Sequence, residues 1–573
     1  MMEGHCCGTA KRIPSRTANT RRGVAVSAAL VALVALVTQF GMASYACAFQ
    51  FDTDNPDVKV RWDNTLKYSA AWRVSDRSSN LLVDANMDDG DRNFSRGLIS
   101  NRGDLLSEFD VSYKTFGLRA SGAAWYDTVY NQSNDNNSPL TASQLSASPR
   151  KFTRAARNLQ GRKAELLDAY VYGQFDAGTL PTSVRLGRHT LIYGESLFFG
   201  SNGIAAGQAP VDVIKLLSVP STQFKELMIP VNQVSAQVQI ASNISIGGYY
   251  QFEWRANRIP ASGSYLSFAD FVGDGAERFF APGTFGGVYF NRAADLKGSN
   301  SGQGGLQIRW RPEGGGSEYG LYATRYNAKD LTIYLNPAAA PLIPSLGSYS
   351  LVFPEDIKAY GASFSTTIGE ANVAGEISTR RNTPLTSDPV LGFNPANGAL
   401  YDNNHNPNYA VGNSVHAQIS GIYLLKGTPL WQGGDILAEV AWHRRTSVTK
   451  NPAAIDPNTT RNASALRILF EPQYFQVYPG VDLTVPVGLG YNLHGNSPLD
   501  PKFNGGTKHG GDFSVGATFD YRKQITFGVN YVTMFGSEGT YITPNAPPQS
   551  TVLQYKQVLK DRDFISVFVK CTF

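Results

Sequence analysis

The chain is poor in cysteine, has no apolar run of membrane-helix length and, once its first segment is set aside, has almost no net charge. Of 573 residues only four are cysteine, and three of them, Cys6, Cys7 and Cys47, fall in a segment with the three-part build of a secretory signal. Lys11, Arg12, Arg16, Arg21 and Arg22 precede a 14-residue apolar run from Val24 to Val37, and Ala46-Cys47-Ala48 offers a cleavage point before Phe49. A spanning helix needs roughly 18 to 20 apolar residues, so residues 1–48 read as a cleaved Sec-type signal peptide rather than an anchor. The residues after Arg21-Arg22 are too apolar for a twin-arginine route, and Ser44-Tyr45-Ala46-Cys47 lacks the aliphatic residue of a lipobox. Cleavage leaves Cys571 alone, which excludes an intrachain disulfide or a cysteine zinc site in the mature chain.

The other absences narrow the function. The whole chain has 51 Lys+Arg against 46 Asp+Glu; the signal carries five of the basic and one of the acidic residues, so the mature part is close to neutral and makes no case for nucleic acid. There is no G-x-S-x-G elbow, H-E-x-x-H helix or phosphate-binding P-loop. His189, His405, His416, His443, His494 and His509 form no recognisable constellation, so the chain reads as a non-enzyme without cofactor or metal. Asp88-Asp89-Gly90-Asp91 lacks the spaced ligands of a calcium loop and reads as a solvated acidic turn.

What is present is a two-residue period. From Val58 to Val74 one list holds Val58, Val60, Trp62, Leu66, Tyr68, Ala70 and Trp72, and the intervening list holds Lys59, Arg61, Asp63, Lys67 and Arg73. A strand places these lists on opposite faces, one oily and one ionic. The pattern recurs as hairpins: Val234 to Ile240 joined through Ala241-Ser242-Asn243 to Ile244 to Trp254, and Phe513 to Tyr521 joined through Arg522-Lys523-Gln524 to Ile525 to Tyr531. About 18 such segments (16–18), with joins alternating between a few residues and twenty or more, predict an all-β transmembrane antiparallel up-and-down barrel over 49–573, in the Gram-negative outer membrane. The last strand agrees: Ile565, Val567, Val569, Cys571 and Phe573 form its outward list, and a terminal aromatic such as Phe573 is a barrel-assembly signal. Outer-membrane lipid and the assembly machinery are therefore expected partners.

The polar list then lines the lumen, where Arg61, Lys67, Arg73, Arg102, Asp104, Glu108, Asp110, Arg119 and Asp127 either form a selective charged wall or pair across neighbouring strands. Residues 194–230 break the hairpin rhythm and are too apolar for an open loop, with Leu197, Phe198, Phe199, Ile204, Val211, Leu216, Phe224 and Leu227 among them. They follow the fifth predicted strand and are expected to fold into the barrel. Apolar side chains facing the passage imply hydrophobic cargo; packed on the wall, they imply a plug. The remaining long joins, about 76–97, 128–163, 256–303, 328–356, 382–412, 492–510 and 535–560, are rich in Asn, Asp, Ser, Gly and Pro and are expected to face solvent.

Several stretches carry a resemblance: the run from Asp57 to Val74, Gly90 to Val111, Ala123 to Asn131, Leu186 to Ser196, Pro210 to Val213 and Lys225 to Val231. In order and spacing they resemble DUF1302, a family of proteobacterial outer-membrane proteins of unknown function. The family pattern G-R-x-x-x-x-W-G-E is met by Gly187, Arg188, Gly194 and Glu195, with Tyr193 where Trp is usual. The resemblance implies a transport barrel for hydrophobic or amphipathic compounds such as sterols or other lipids, working beside a periplasmic lipid-handling protein and an inner-membrane transporter of the resistance-nodulation-division type. A docking barrel for an envelope partner and a general porin for small polar solutes are the alternatives. The family supplies no catalytic residues; Arg188, Glu195, Phe198, Phe199, Asp212, Lys225 and Glu226 are the candidates for a constriction or gate, or for ion pairs that hold the inner segment.

Overall fold

The computed structural model describes residues 49–573 apart from 52, 139, 142–144, 282–286 and 545–550; the expected signal peptide lies outside the described residues. The first six strands of the main sheet are Val58–Arg73, Gly97–Tyr113, Phe116–Asp127, Arg162–Ala177, Leu180–His189 and Val231–Ala241. The next six are Ile244–Gln251, Gln303–Trp310, Ser317–Tyr326, Ile357–Ile368, Ala371–Pro384 and Val411–Leu424. The last six are Gly433–Lys450, Asn462–Tyr478, a strand in two pieces (Val481–Thr484 and Val487–His494), Gly511–Tyr521, Ile525–Phe535 and Phe564–Thr572. The break falls at Pro486, which has no N–H to give to a ladder, and both pieces keep the same two neighbours.

Each strand pairs antiparallel with the next, and the eighteenth returns to the first, Thr572 opposite Thr65 and Phe564 opposite Arg73. The nine-residue eighteenth strand leaves part of the first uncovered, and there Phe49–Phe51 pairs with Val60 to Trp62. The sheet is thus a closed barrel without a free edge. Closure matters because hydrocarbon cannot hydrogen-bond an open edge.

The two-residue period sorts the faces as expected. Leu118, Leu186, Ile246, Leu306, Leu321, Ile377, Ile419 and Val529 are exposed on the outside. Aromatics flank that apolar band: Tyr113, Phe116, Phe175, Trp310, Tyr319 and Phe475 toward the short joins, Tyr126, Tyr250 and Tyr360 toward the long ones. This is the girdled apolar belt of a lipid-embedded barrel. No helix among the described residues is long and apolar enough to cross a membrane; the crossing is made by strands.

Short joins tighten into two-residue hairpins such as Gly178-Thr179 and Gly369-Glu370, where the glycine takes the positive φ that such turns need. The long joins gather at the other end and correct the expectation that they face solvent. They build a second sheet from Arg278–Phe280, Tyr289–Arg292, Thr332–Leu342, Ser345–Val352 and Val390–Leu391. Tyr265, Leu266, Phe271, Phe279, Tyr349, Leu351 and Phe353 are buried within this cap, because its aromatics cover one another despite the polar composition around them.

The acidic turn is corrected too. Asp88, Asp89 and Asp91 are buried rather than solvated. Asp88 pairs with Arg92, Asp89 accepts from Asn136, and Asp91 lies between Arg73 and Arg562, so four side chains, three of them from outside the turn, replace water. Asp88, Asp89 and Asp270 bring carboxylate oxygens within 4.8 Å of one another.

Candidate functional site

Residues 194–230 leave the fifth strand and reach the eleventh, twelfth and thirteenth on the opposite side of the lumen. Two inward glutamates receive them. Glu376 accepts the N–H groups of Glu195 and Ile204, both at 2.8 Å, and the Ser196 hydroxyl at 3.1 Å. Glu439 accepts the N–H groups of Leu197, Phe198 and Phe199 at 3.2, 2.5 and 2.7 Å. Between them Gln418 donates to Ser196 Oγ and to Glu439, which links three adjacent strands in one network. A charged acceptor holding several N–H donors is among the stronger hydrogen-bonding arrangements, of about 1.5–3 kcal/mol per bond.

Local sequence makes room for this grip. Gly194 has φ +86°, and a Cβ there or at Gly203 would run into the Glu376 carboxylate. Arg380, four residues along the same strand face from Glu376, donates Nη2 to the carbonyls of Ser201, Asn202 and Gly203 at 2.8, 2.8 and 3.0 Å. Asn202 Oδ1 in turn meets His416 Nδ1 at 3.1 Å and His443 Nδ1 at 2.9 Å, and each imidazole Nε2 faces a serine hydroxyl, Ser414 or Ser497, at 2.8 Å. The order Ser497, His443, Asn202 is that of a hydrolytic triad. Here Ser497 Oγ already accepts the N–H groups of Leu499 and Asp500, so both its lone pairs are taken and it serves as an anchor.

The apolar residues of the segment pack on the wall or on one another. Phe198 and Phe199 enter a socket of Leu437, Ala441, Ala463, Ala465 and Phe503, where small alanines leave space for the rings. Ala205, Val211, Phe224 and Leu227 form a core of their own, and Ile204 joins Tyr193, Tyr249 and Tyr322. The exposed residues are Ser201, Lys215, Val219, Lys225 and Glu226. Lys215 donates to the Glu226 carbonyl at 3.0 Å.

The other sequence candidates are distributed along this segment and its supports. Arg188 binds both oxygens of Glu253 at 3.0 and 3.1 Å, and Glu195 meets Arg309 at 3.1 Å. Asp212 caps the helix Val213–Ser218 through Lys215 N–H at 3.0 Å and binds Arg258 at 2.9 Å; Arg258 also holds Glu165 on the fourth strand. Lumen charges pair as well: Arg61 with Asp63 at 2.6 Å, Arg102 with Asp104 at 2.6 Å, and Arg119 with Glu108 at 2.5 Å. Glu376, Glu439, Arg380, Gln418 and Asn202 were not singled out in the sequence. In an alternating strand they look like any other lumen residue, and their partners lie some 180 to 240 positions away.

The model of the family described as "Protein of unknown function (DUF1302)" matches residues 26–573. The chain belongs to DUF1302. In this DUF1302 member the motif residues surround the grip: Gly187 and Arg188 lie in the last three residues of the fifth strand, Tyr193 packs edge-on against Tyr249, and Gly194 and Glu195 meet Glu376. A comparison with curated proteins finds no match. Among solved structures the chain is similar to OccAB4 of Acinetobacter baumannii, at 10% identity and a TM-score of 0.40, covering 91% of this chain and 100% of that one. It is also similar to OccK9 (OpdG) of Pseudomonas aeruginosa, at 9% identity and 0.39, covering 90% and 98%. For OmpF of Salmonella typhi, in complex with daunomycin, the figures are 8%, 0.32, 92% and 100%.

Proposed function

We propose that this DUF1302 protein is an outer-membrane channel of a Gram-negative bacterium, closed at rest by its inner segment and passing small polar or amphipathic solutes. The observation that carries the reading is the sorting of side chains on 194–230: apart from Val219 the large apolar groups are at least partly covered, and the other exposed residues are polar, Ser201, or charged, Lys215, Lys225 and Glu226. Hydrophobic cargo, which the family resemblance implies, calls for an apolar track, and this arrangement supports the polar alternative instead. The grip is made of hydrogen bonds and ion pairs, which exchange with water readily once one partner moves, so it suits a gate. Liposome swelling with sugars and amino acids of graded size, beside uptake of a labelled sterol and fatty acid in a deletion strain, tests the cargo. Sterol or fatty-acid uptake lost on deletion, with no swelling by polar solutes, overturns it.

The apolar belt presents a lipid-matching surface, and Phe573 exchanges backbone hydrogen bonds with Asn64 at 2.7 and 2.8 Å, closing the seam between the first and last strands, which suits Phe573 to a part in barrel assembly. A docking role is the second reading, favoured by the hairpin Thr332–Leu342 and Ser345–Val352, whose tip exposes Leu342 and Ile343. Copurification of an envelope partner that is lost when both tip residues become serine tests it.

A further inference from the structure

A cavity of about 90 Å³ lies between the inner segment and the cap, with Arg380, Lys329, Asp330 and Asp500 among its lining. It has room for several waters or one small organic ion. Its two cations share an unusual use. Arg380 donates Nη2 to the carbonyls of Ser201, Asn202 and Gly203, and Lys329 donates Nζ to the carbonyl of Gly207 at 3.2 Å. Both therefore hold the inner segment through neutral acceptors while bordering a space that a charged acceptor can enter.

The acids of the cavity are already occupied. Asp330 accepts from Asn257 Nδ2 at 2.7 Å and Asp500 from the Lys502 N–H at 2.8 Å. Burial pushes the Asp500 carboxyl up to about 7 and raises that of Asp330, whereas Lys329, drawn down to about 8 by burial, stays largely protonated at neutral pH. Asp500 is thus only partly ionised at neutral pH.

The geometry points to a carboxylate-binding site at Arg380 and Lys329 whose occupancy releases the inner segment. A carboxylate accepts from guanidinium and ammonium groups more strongly than a peptide carbonyl does, and matches the planar guanidinium with two oxygens. Anion entry therefore draws Arg380 and Lys329 away from residues 201–203 and 207, loosening the stretch that Glu376 and Glu439 also hold. The inference rests on the channel reading for the identity of the anion as cargo; binding and release are properties of the site itself.

The full chain, folded in detergent and verified by heat-modifiable migration, is titrated calorimetrically with sodium acetate and with acetamide at constant chloride. Amide hydrogen exchange of the peptide 194–207 is followed in parallel. Acetate is expected to bind saturably and acetamide not, with exchange of the peptide at least fivefold faster in acetate. Lys329→Gln weakens acetate binding at least fivefold. Arg380→Gln abolishes it and exchanges fast without ligand. Equal binding of acetate and acetamide, acetate binding unchanged in both variants, or acetate binding without faster exchange overturns the inference. Absence of conductance in bilayers, by contrast, defeats the channel reading and leaves these outcomes as they stand.

Discussion

Glu439 Oε2 accepts the Phe199 N–H at 2.7 Å, tying the thirteenth strand to a residue 240 positions earlier in the chain. With the matching contact of Glu376 on Ile204, it makes the lumen of this DUF1302 barrel a place where one segment is held by two carboxylates.

Replacing Glu439 by Ala strands the N–H groups of Leu197, Phe198 and Phe199. Each unsatisfied buried donor costs about 1–3 kcal/mol, so the segment should detach while the barrel ladder persists. Amide exchange over 197–204 should rise by at least tenfold, and by less in Glu439→Gln, whose amide oxygen still accepts. Equal exchange in Glu439→Ala and wild type would contradict the assignment.

Gly203→Ala should reproduce the loss of Glu376. The added methyl meets the Glu376 carboxylate and Ser196 Oγ, so the residue cannot sit where Ile204 N–H reaches its acceptor. The double variant with Glu376→Ala should then exchange no faster than either single one, because both remove the same contact. Additive acceleration would show that the glycine acts elsewhere.

Cap stability should fall as pH rises. Burial, and then the facing Asp456, push the Asp388 carboxyl up to about 8, well above the roughly 3.9 of an unfolded Asp. The folded cap therefore binds a proton that the opened cap releases. That stabilisation is full below about pH 4, declines as pH rises and is lost above about 8. Exchange of residues 385–410, corrected for intrinsic rates, should be faster at pH 9 than at pH 6, and Asp388→Asn should flatten the difference. A cap more protected at pH 9 would reverse the sign.

Removing Phe573 should slow assembly. The residue pairs with Asn64 through two backbone hydrogen bonds at the seam between first and last strands. The heat-modifiable folded form in membranes should drop severalfold in the truncated chain and recover with Tyr at that position. Unchanged assembly on truncation would leave Phe573 without the role.

The barrel was legible because the two-residue period recurs from strand to strand: the lists around Trp62, Val234 and Phe513 all fall on strands of the closed sheet, and outward members such as Trp62, Ile240 and Ile246 are exposed. Join lengths marked which end carries the cap, and the apolar content of 194–230 marked the inner segment. The cap's own fold was not legible, since Thr332–Leu342 and Ser345–Val352 lie in a join whose Pro and Gly content reads as loop. The buried acidic turn escaped for a related reason, because its partners Arg73, Asn136 and Arg562 come from separate parts of the chain. Of the site, Glu195 and Asp212 could be picked from the segment, where they meet Arg309 and Arg258. Glu376 and Glu439 could not, because only strand register decides which inward carboxylate faces a crossing backbone and which faces an arginine.

The central claim is that residues 194–230 close a channel, and single-channel recording in planar bilayers tests it most directly, comparing the full chain with a variant lacking 197–229 and verified as a folded barrel by heat-modifiable migration. The account predicts a conductance several times larger in the shortened protein; equal conductance in the two, or none in either, would contradict it.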